Sequence, residues 1–380
     1  MTGKTIAAVH DETDLHAQRG EALAKEQCAL AGMAVYAQIF LGLALYLYDH
    51  VSTPGYFSLF LTLPYQILLI LWARKLTGRV AGGGLMALTG RLSGKFLTLL
   101  LFLSALLDAL IVFFCLNALI ADMMTDLPPW AAPLTVILFT ALSLIQPGNH
   151  ALPRLSRVLG WIVGGMLLYC FAAALPHGRA DHFFPLLGYG IRRIGQGAVW
   201  MCGAVSGCCA PLLMAGEESG LRLLLKKKST LYLPVLVSLS AGIVTMLVSV
   251  WLMPVSALAR PYTLGWKLML VTHMTPSVAA WSLEFLGLTL LLLLALCESL
   301  DRASRLLARS GGRRQAPRLL PAALTWLLLP TAFLPAQTWQ RVLIALAPCR
   351  AVIPVIVFGV LTFSSRKTKR RIKAGKEAAQ

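Results

Sequence analysis

"KFLTLLLFLSALLDALIVFFCLNALI", Lys95 to Ile120, decides the class of the fold. Apart from Lys95, Asp108 and Asn117 it is wholly apolar or hydroxylic, and it is longer than the about 20 helical residues that cross a hydrocarbon core of about 30 Å. Similar runs recur from near residue 28 to near residue 363. Barrel strands would be half as long and alternating, so the spans are read as helices. The whole chain agrees: 57% of its 380 residues are apolar and 13% charged, against roughly 45–50% and 25% in soluble domains. The expectation is an all-α integral membrane protein.

Ten spans are predicted, at 28 to 48, 55 to 73, 96 to 121, 130 to 147, 158 to 176, 194 to 215, 231 to 252, 277 to 297, 319 to 336 and 343 to 363. A polar N-terminal segment, 1–27, precedes the permease-like domain, 28–363, and a basic tail, 364–380, follows it. The first segment carries Asp11, Glu12, Asp14, Glu21 and Glu26, which is unlike a signal peptide. With the N-terminus inside, 27 of the 34 Lys and Arg fall on inner segments; the rest are Arg179, Arg192, Arg193, Arg260, Lys267, Arg341 and Arg350. Both termini are therefore predicted to be cytoplasmic. This bias accounts for most of the +18 net charge and argues against nucleic acid as a partner. The tail "RKTKRRIK" is expected to rest on anionic lipid headgroups.

Enzyme chemistry finds no support. There is no phosphate loop, nucleophile elbow or metalloprotease motif. The eight cysteines lie in or at the ends of spans without zinc spacing and read as small apolar packers. His177 and His182 around Asp181 read as an ordinary polar loop, and no cofactor is implied.

"GAVSGCCAPLLMAGEESG", Gly203 to Gly220, breaks the pattern in span six. Proline and repeated glycine in a helix interior cost about 3 and 1 kcal/mol per residue, and freed backbone groups in lipid need other partners. Two readings stay open. One is a discontinuous helix whose loose backbone around Gly203, Ser206, Gly207 and Cys208 holds a substrate; the other is a packing face, Gly203 and Gly207 four apart, kinked at Pro211. Ten spans with a break in the sixth suggest two inverted halves of five. Span one would match span six, and it carries Gln38 and Gly42 near its middle. Asp108 lies midway along span three with Ser104 one turn before it, positioned either for a ligand or ion or for a structural hydrogen bond. Glu284 lies about a third of the way into span eight. Arg350 opens span ten and is expected to snorkel outward.

"FFPLLGYGIRRIGQGAVWMCGAVSGCCAPLLMAG" followed by "LRLLLKKKS" resembles the sixth-span region of spore-germination permeases, the B subunits of GerA-type nutrient receptors. These belong to the amino acid/polyamine/organocation transporter superfamily. "WSLEFLGLTLLLLLALCESLDRASRLL" is similar to their eighth span, and "LWARKLTG" with "GRLSGKFLTLLLFL" to the link into their third. The chain departs from them where "AAWS" replaces a basic residue before Glu284, and where span six lacks the acidic residue common after its glycine. The resemblance implies a LeuT-like five-plus-five inverted repeat with a midplane site between spans one, three, six and eight. It implies a small nutrient ligand such as an amino acid, A-type and C-type receptor subunits as partners, and the inner spore membrane or cytoplasmic membrane of an endospore-forming bacterium. The alternative function is a secondary amino acid or amine transporter coupled to an ion gradient, and a ligand-free membrane scaffold is a third reading.

Overall fold

A computed structural model describes residues 44–77, 91–123, 131–145, 175–206, 232–258, 278–310, 319–332 and 348–365, with scattered positions in 29–36, 158–172 and 345–346. Those residues are mostly helical, joined by turns, and no strand occurs among them. Chain order gives α1 (Ala44–His50), α2 (Gly55–Phe60), α3 (Leu63–Thr77), α4 (Arg91–Met123), α5 (Ala131–Ile145), α6 (Ile191–Val205), α7 (Tyr232–Leu252), α8 (Val255–Leu258), α9 (Val278–Ser310), α10 (Leu320–Thr325), α11 (Leu329–Ala332) and α12 (Pro348–Ser365).

Three described helices are long and apolar enough to cross a membrane: Gly55–Leu76, Gly94–Asn117 and Pro348–Ser365. These correspond to predicted spans two, three and ten. Much of spans one and five, and parts of six, eight and nine, lie outside the described residues. Where the spans are described, the outward face is apolar, as a lipid-facing surface requires. In α3, Ile67, Leu68 and Leu71 are exposed, whereas Gln66, Leu69, Ile70 and Ala73 are buried. Hydrocarbon outside and packed side chains, some polar, inside is the inverse of a soluble helix.

α4 and α9 outrun their predicted spans. Each has 33 residues, about 50 Å at 1.5 Å per residue, so each tilts or projects beyond an about 30 Å core. α9 stays helical past the apolar run because "ESLDRASRLL" places acids four residues before bases, the favourable order on a helix. Arg305 Nε donates to Asp301 Oδ2 at 2.9 Å.

The helices sort into two groups. α4 and α9 form the most extensive pair, and α5 and α10 pack on them, with α11 on α5. The other group joins α1, α2, α3, α6, α7 and α8. Small side chains and buried hydroxyls hold this second group. Ser58 Oγ on α2 donates to the Ile194 carbonyl of α6 at 2.9 Å. Tyr48 Oη on α1 donates to the Met246 carbonyl of α7 at 3.0 Å. Tyr36 donates to Thr245 Oγ1 at 3.1 Å, because Thr245 gives its own proton to the Ala241 carbonyl. Gly197 of α6 lies so close to α1 and α2 that a β-carbon would stand 2.6 Å from Ser58 Oγ and 2.8 Å from Val51 Cγ2.

α12 touches both groups. Tyr65 Oη of α3 donates to the Ala351 carbonyl at 2.6 Å, Trp72 Nε1 donates to Thr362 Oγ1 at 2.7 Å, and Trp72 stacks on Phe358 at 5.7 Å. From its other side Arg350 reaches Asp108 on α4.

The segment 175–190 caps the end of α7. The Trp251 carbonyl, without a helical partner at the α7 terminus, accepts from the Arg179 N–H at 2.8 Å and lies 3.2 Å from His182 Nδ1. The Trp251 indole donates to the Leu175 carbonyl at 3.0 Å. His182 thus has a structural partner, in line with the polar-loop reading.

Candidate functional site: a buried charge cluster in the membrane-spanning bundle

Asp108 sits near the middle of the apolar stretch Gly94–Asn117, 4% exposed, with Ser104 buried one turn away on the same helix face. Two guanidinium groups from different helices meet it. Arg350 of α12 is in close contact with Asp108 Oδ1, and Arg302 Nη1 of α9 lies 3.9 Å from Oδ2. Arg302 Nη2 is in turn 3.7 Å from Glu298 Oε1. Two carboxylates and two guanidiniums therefore share one buried neighbourhood with no net charge. A lone carboxylate at this depth costs several kcal/mol, and these cations offset that cost.

This corrects the sequence expectation for Arg350. It does not snorkel: at 1% exposure it is the largest fully buried side chain among the described residues. An arginine eight residues into an otherwise apolar span, matched by one aspartate midway along another, was the available signal. For Arg302 and Glu298 the signal was their i,i+4 spacing.

The span-six residues belong to the other helix group. α6 ends at Val205, and the Ser206 N–H bonds the Cys202 carbonyl. The buried Ser206 hydroxyl donates to the Gly203 carbonyl at 2.6 Å, and Gly203 is itself buried. A hydroxyl returned to its own helix bends the helix slightly and satisfies itself. Gly207 and Cys208, where the break is predicted, lie outside the described residues, as do Gln38 and Gly42. Glu284 is in α9, but its side chain is outside the described set.

Gln66 of α3, absent from the sequence-derived site, is 0% exposed, and neither its amide nitrogen nor its oxygen has a hydrogen-bond partner among the described residues. A buried amide with its donors and acceptor unused is costly. Among the described residues no group of three or more His, Cys, Asp or Glu is placed to hold a metal ion.

No protein-family model and no curated protein matches the chain. Its fold is similar to solved structures of a manganese transporter from Eremococcus coleocola. One, in complex with an aromatic bis-isothiourea substituted compound, has a TM-score of 0.56 at 16% identity, over 90% of this chain and 78% of that chain. Two mutants of the same transporter have TM-scores of 0.54 at 13% identity with the same coverage. At such identities the likeness is one of fold alone.

Proposed function

We propose that the chain is a secondary transporter with a ten-span, LeuT-like inverted repeat, moving a small amino acid-like or amine solute with an ion gradient across the cytoplasmic membrane. The division of the helices into two packed groups supports this reading. Alternating access needs one bundle to rock against another around a fixed site. The substrate site lies between spans one, three, six and eight and uses Gln38, Gly42, Ser104, Asp108, Gly203, Ser206, Gly207, Cys208 and Glu284, with Gln66 as a further polar contact. Both termini are cytoplasmic, with 1–27 and 364–380 flanking the 28–363 bundle.

The neighbours' cargo is not carried over. A divalent cation prefers carboxylate, carbonyl and water ligands, and Asp108 already faces two guanidiniums. With its carboxylate already engaged by these two cations, Asp108 is poorly placed as a metal ligand, so an organic solute fits this surrounding better than manganese does. The test is uptake by proteoliposomes containing only this chain, with radiolabelled amino acids and with manganese in parallel. Gradient-driven accumulation of an amino acid is the expected result; manganese accumulation without amino acid uptake would overturn the reading.

A second reading keeps the germinant receptor, favoured by the resemblance through span six and "WSLEFLGLTLLLLLALCESLDRASRLL". In it the same site senses a nutrient, and A-type and C-type subunits read the change in the inner spore membrane. Nutrient-dependent stabilisation of the chain without any accumulation would select it.

A further inference from the structure

The backbone of the segment between residues 184 and 193 is held by hydrogen bonds to itself and to the turn after α1. Thr53 donates to the Pro185 carbonyl. The Gly188 N–H bonds the Pro185 carbonyl at 3.0 Å, the Gly190 N–H bonds the Leu187 carbonyl at 2.8 Å, and the Tyr189 N–H reaches the Val51 carbonyl at 3.5 Å. Gly188, with φ at +50°, lies so close to the 51–54 turn that a β-carbon would stand 2.4 Å from the Val51 oxygen. The segment is thus pinned to the ends of α1 and α2.

Its side chains Phe184, Leu186, Leu187, Tyr189 and Ile191 are exposed, Leu187 by 58% and Ile191 by 75%. Arg192 and Arg193, both exposed, follow at once in the first turn of α6. They are two of only seven basic residues outside the inner segments. Five large exposed apolar side chains edged by two guanidiniums do not suit an aqueous loop. They suit the boundary between acyl chains and headgroups, where apolar groups and Tyr insert and cations meet phosphate. Arginine matches phosphate geometry with paired donors.

We infer that residues 184–193 form a docking element for an anionic phospholipid in the leaflet that the distribution of basic residues makes the outer one: the apolar face inserts among the acyl chains, and Arg192 and Arg193 hold the headgroup phosphate. This placement is independent of what the chain transports or senses. It gives the first turn of α6 a fixed depth in the bilayer just ahead of the glycine-rich part of span six.

The test uses the full chain reconstituted into vesicles of phosphatidylcholine, with or without phosphatidylglycerol. An environment-sensitive fluorophore is attached at Leu187→Cys in a variant lacking the native cysteines. The probe should be shielded from aqueous iodide and quenched by lipids brominated high on the acyl chain. Phosphatidylglycerol should raise that quenching several-fold, and Arg192→Gln with Arg193→Gln should abolish the rise. A probe open to iodide and blind to brominated lipid overturns the inference. So does shielding that grows with protein concentration, which would mean a second copy covers the face, and so does quenching indifferent to phosphatidylglycerol. Should the cysteine-free variant fail to fold, mass spectrometry of the otherwise unmodified chain decides. Retained phosphatidylglycerol should fall several-fold in the double Arg→Gln variant, and equal retention overturns the inference.

Discussion

Removing Arg350 isolates the charge at the centre of the bundle. Arg350→Gln leaves Asp108 with Arg302 alone, whose nearest nitrogen is 3.9 Å away and which also faces Glu298. Breaking a buried ion pair by deleting one partner costs about 3–5 kcal/mol, because the remaining charge keeps its desolvation penalty. Taking about 2 °C per kcal/mol for a large chain, the apparent unfolding temperature in detergent should fall by about 6–10 °C. Asp108→Asn should cost a similar amount, since it strands Arg350. The double variant removes both charges and should recover much of the loss, with a coupling of about 2 kcal/mol or more. Arg302→Gln should cost less than Arg350→Gln, because the closer of the two contacts survives. The assay is thermal unfolding of the four variants and the parent at equal detergent and protein concentration, alongside uptake. Additivity of the two single variants within about 0.5 kcal/mol, the level seen for independent sites, would refute the pairing.

The glycines of α6 separate packing from helix propensity. Gly197→Ala should lower folded yield by about 1–3 kcal/mol of overpacking, because its β-carbon meets Ser58 and Val51, whereas Gly195→Ala faces open space and should be neutral or stabilising; size-exclusion profiles of the two variants check this. For topology, an impermeant thiol reagent added outside to single-cysteine variants should label a probe at residue 181 and spare one at residue 227. The reverse pattern would overturn the inside placement of the termini.

Hydropathy made the class of fold and the long apolar helices readable in advance, because depth in a bilayer is written in local composition. It stops at the last apolar residue, however, and a helix does not. α4 begins at Arg91, and α9 runs on to Ser310 through residues that are charged but helix-forming. Depth also says nothing of rotation about the helix axis or of which helices are neighbours. Asp108 was recognisable as unusual, but its partner on α12 was not, since only the packing of α12 across both helix groups brings Arg350 to it. Likewise the segment after residue 175 read as an ordinary loop. Its attachment to Trp251 depends on the unsatisfied carbonyl at the end of α7, which is a property of a helix terminus met in space. For the candidate substrate site, Ser104 and Asp108 are placed on one helix face, while Gly203 and Ser206 are placed in the other group.

The contact between Arg350 and Asp108 also has an order in time. The aspartate is synthesised 242 positions (350 minus 108) before the arginine that closes on it, and Tyr65 waits 286 positions for its acceptor at Ala351. At about 5–20 residues per second, the nascent chain holds a membrane-embedded carboxylate for about 10–50 s with Arg302 as a late and partial companion. The charge cluster around Asp108 is therefore complete only once α12 enters the bilayer, so assembly of the bundle's centre waits on that helix.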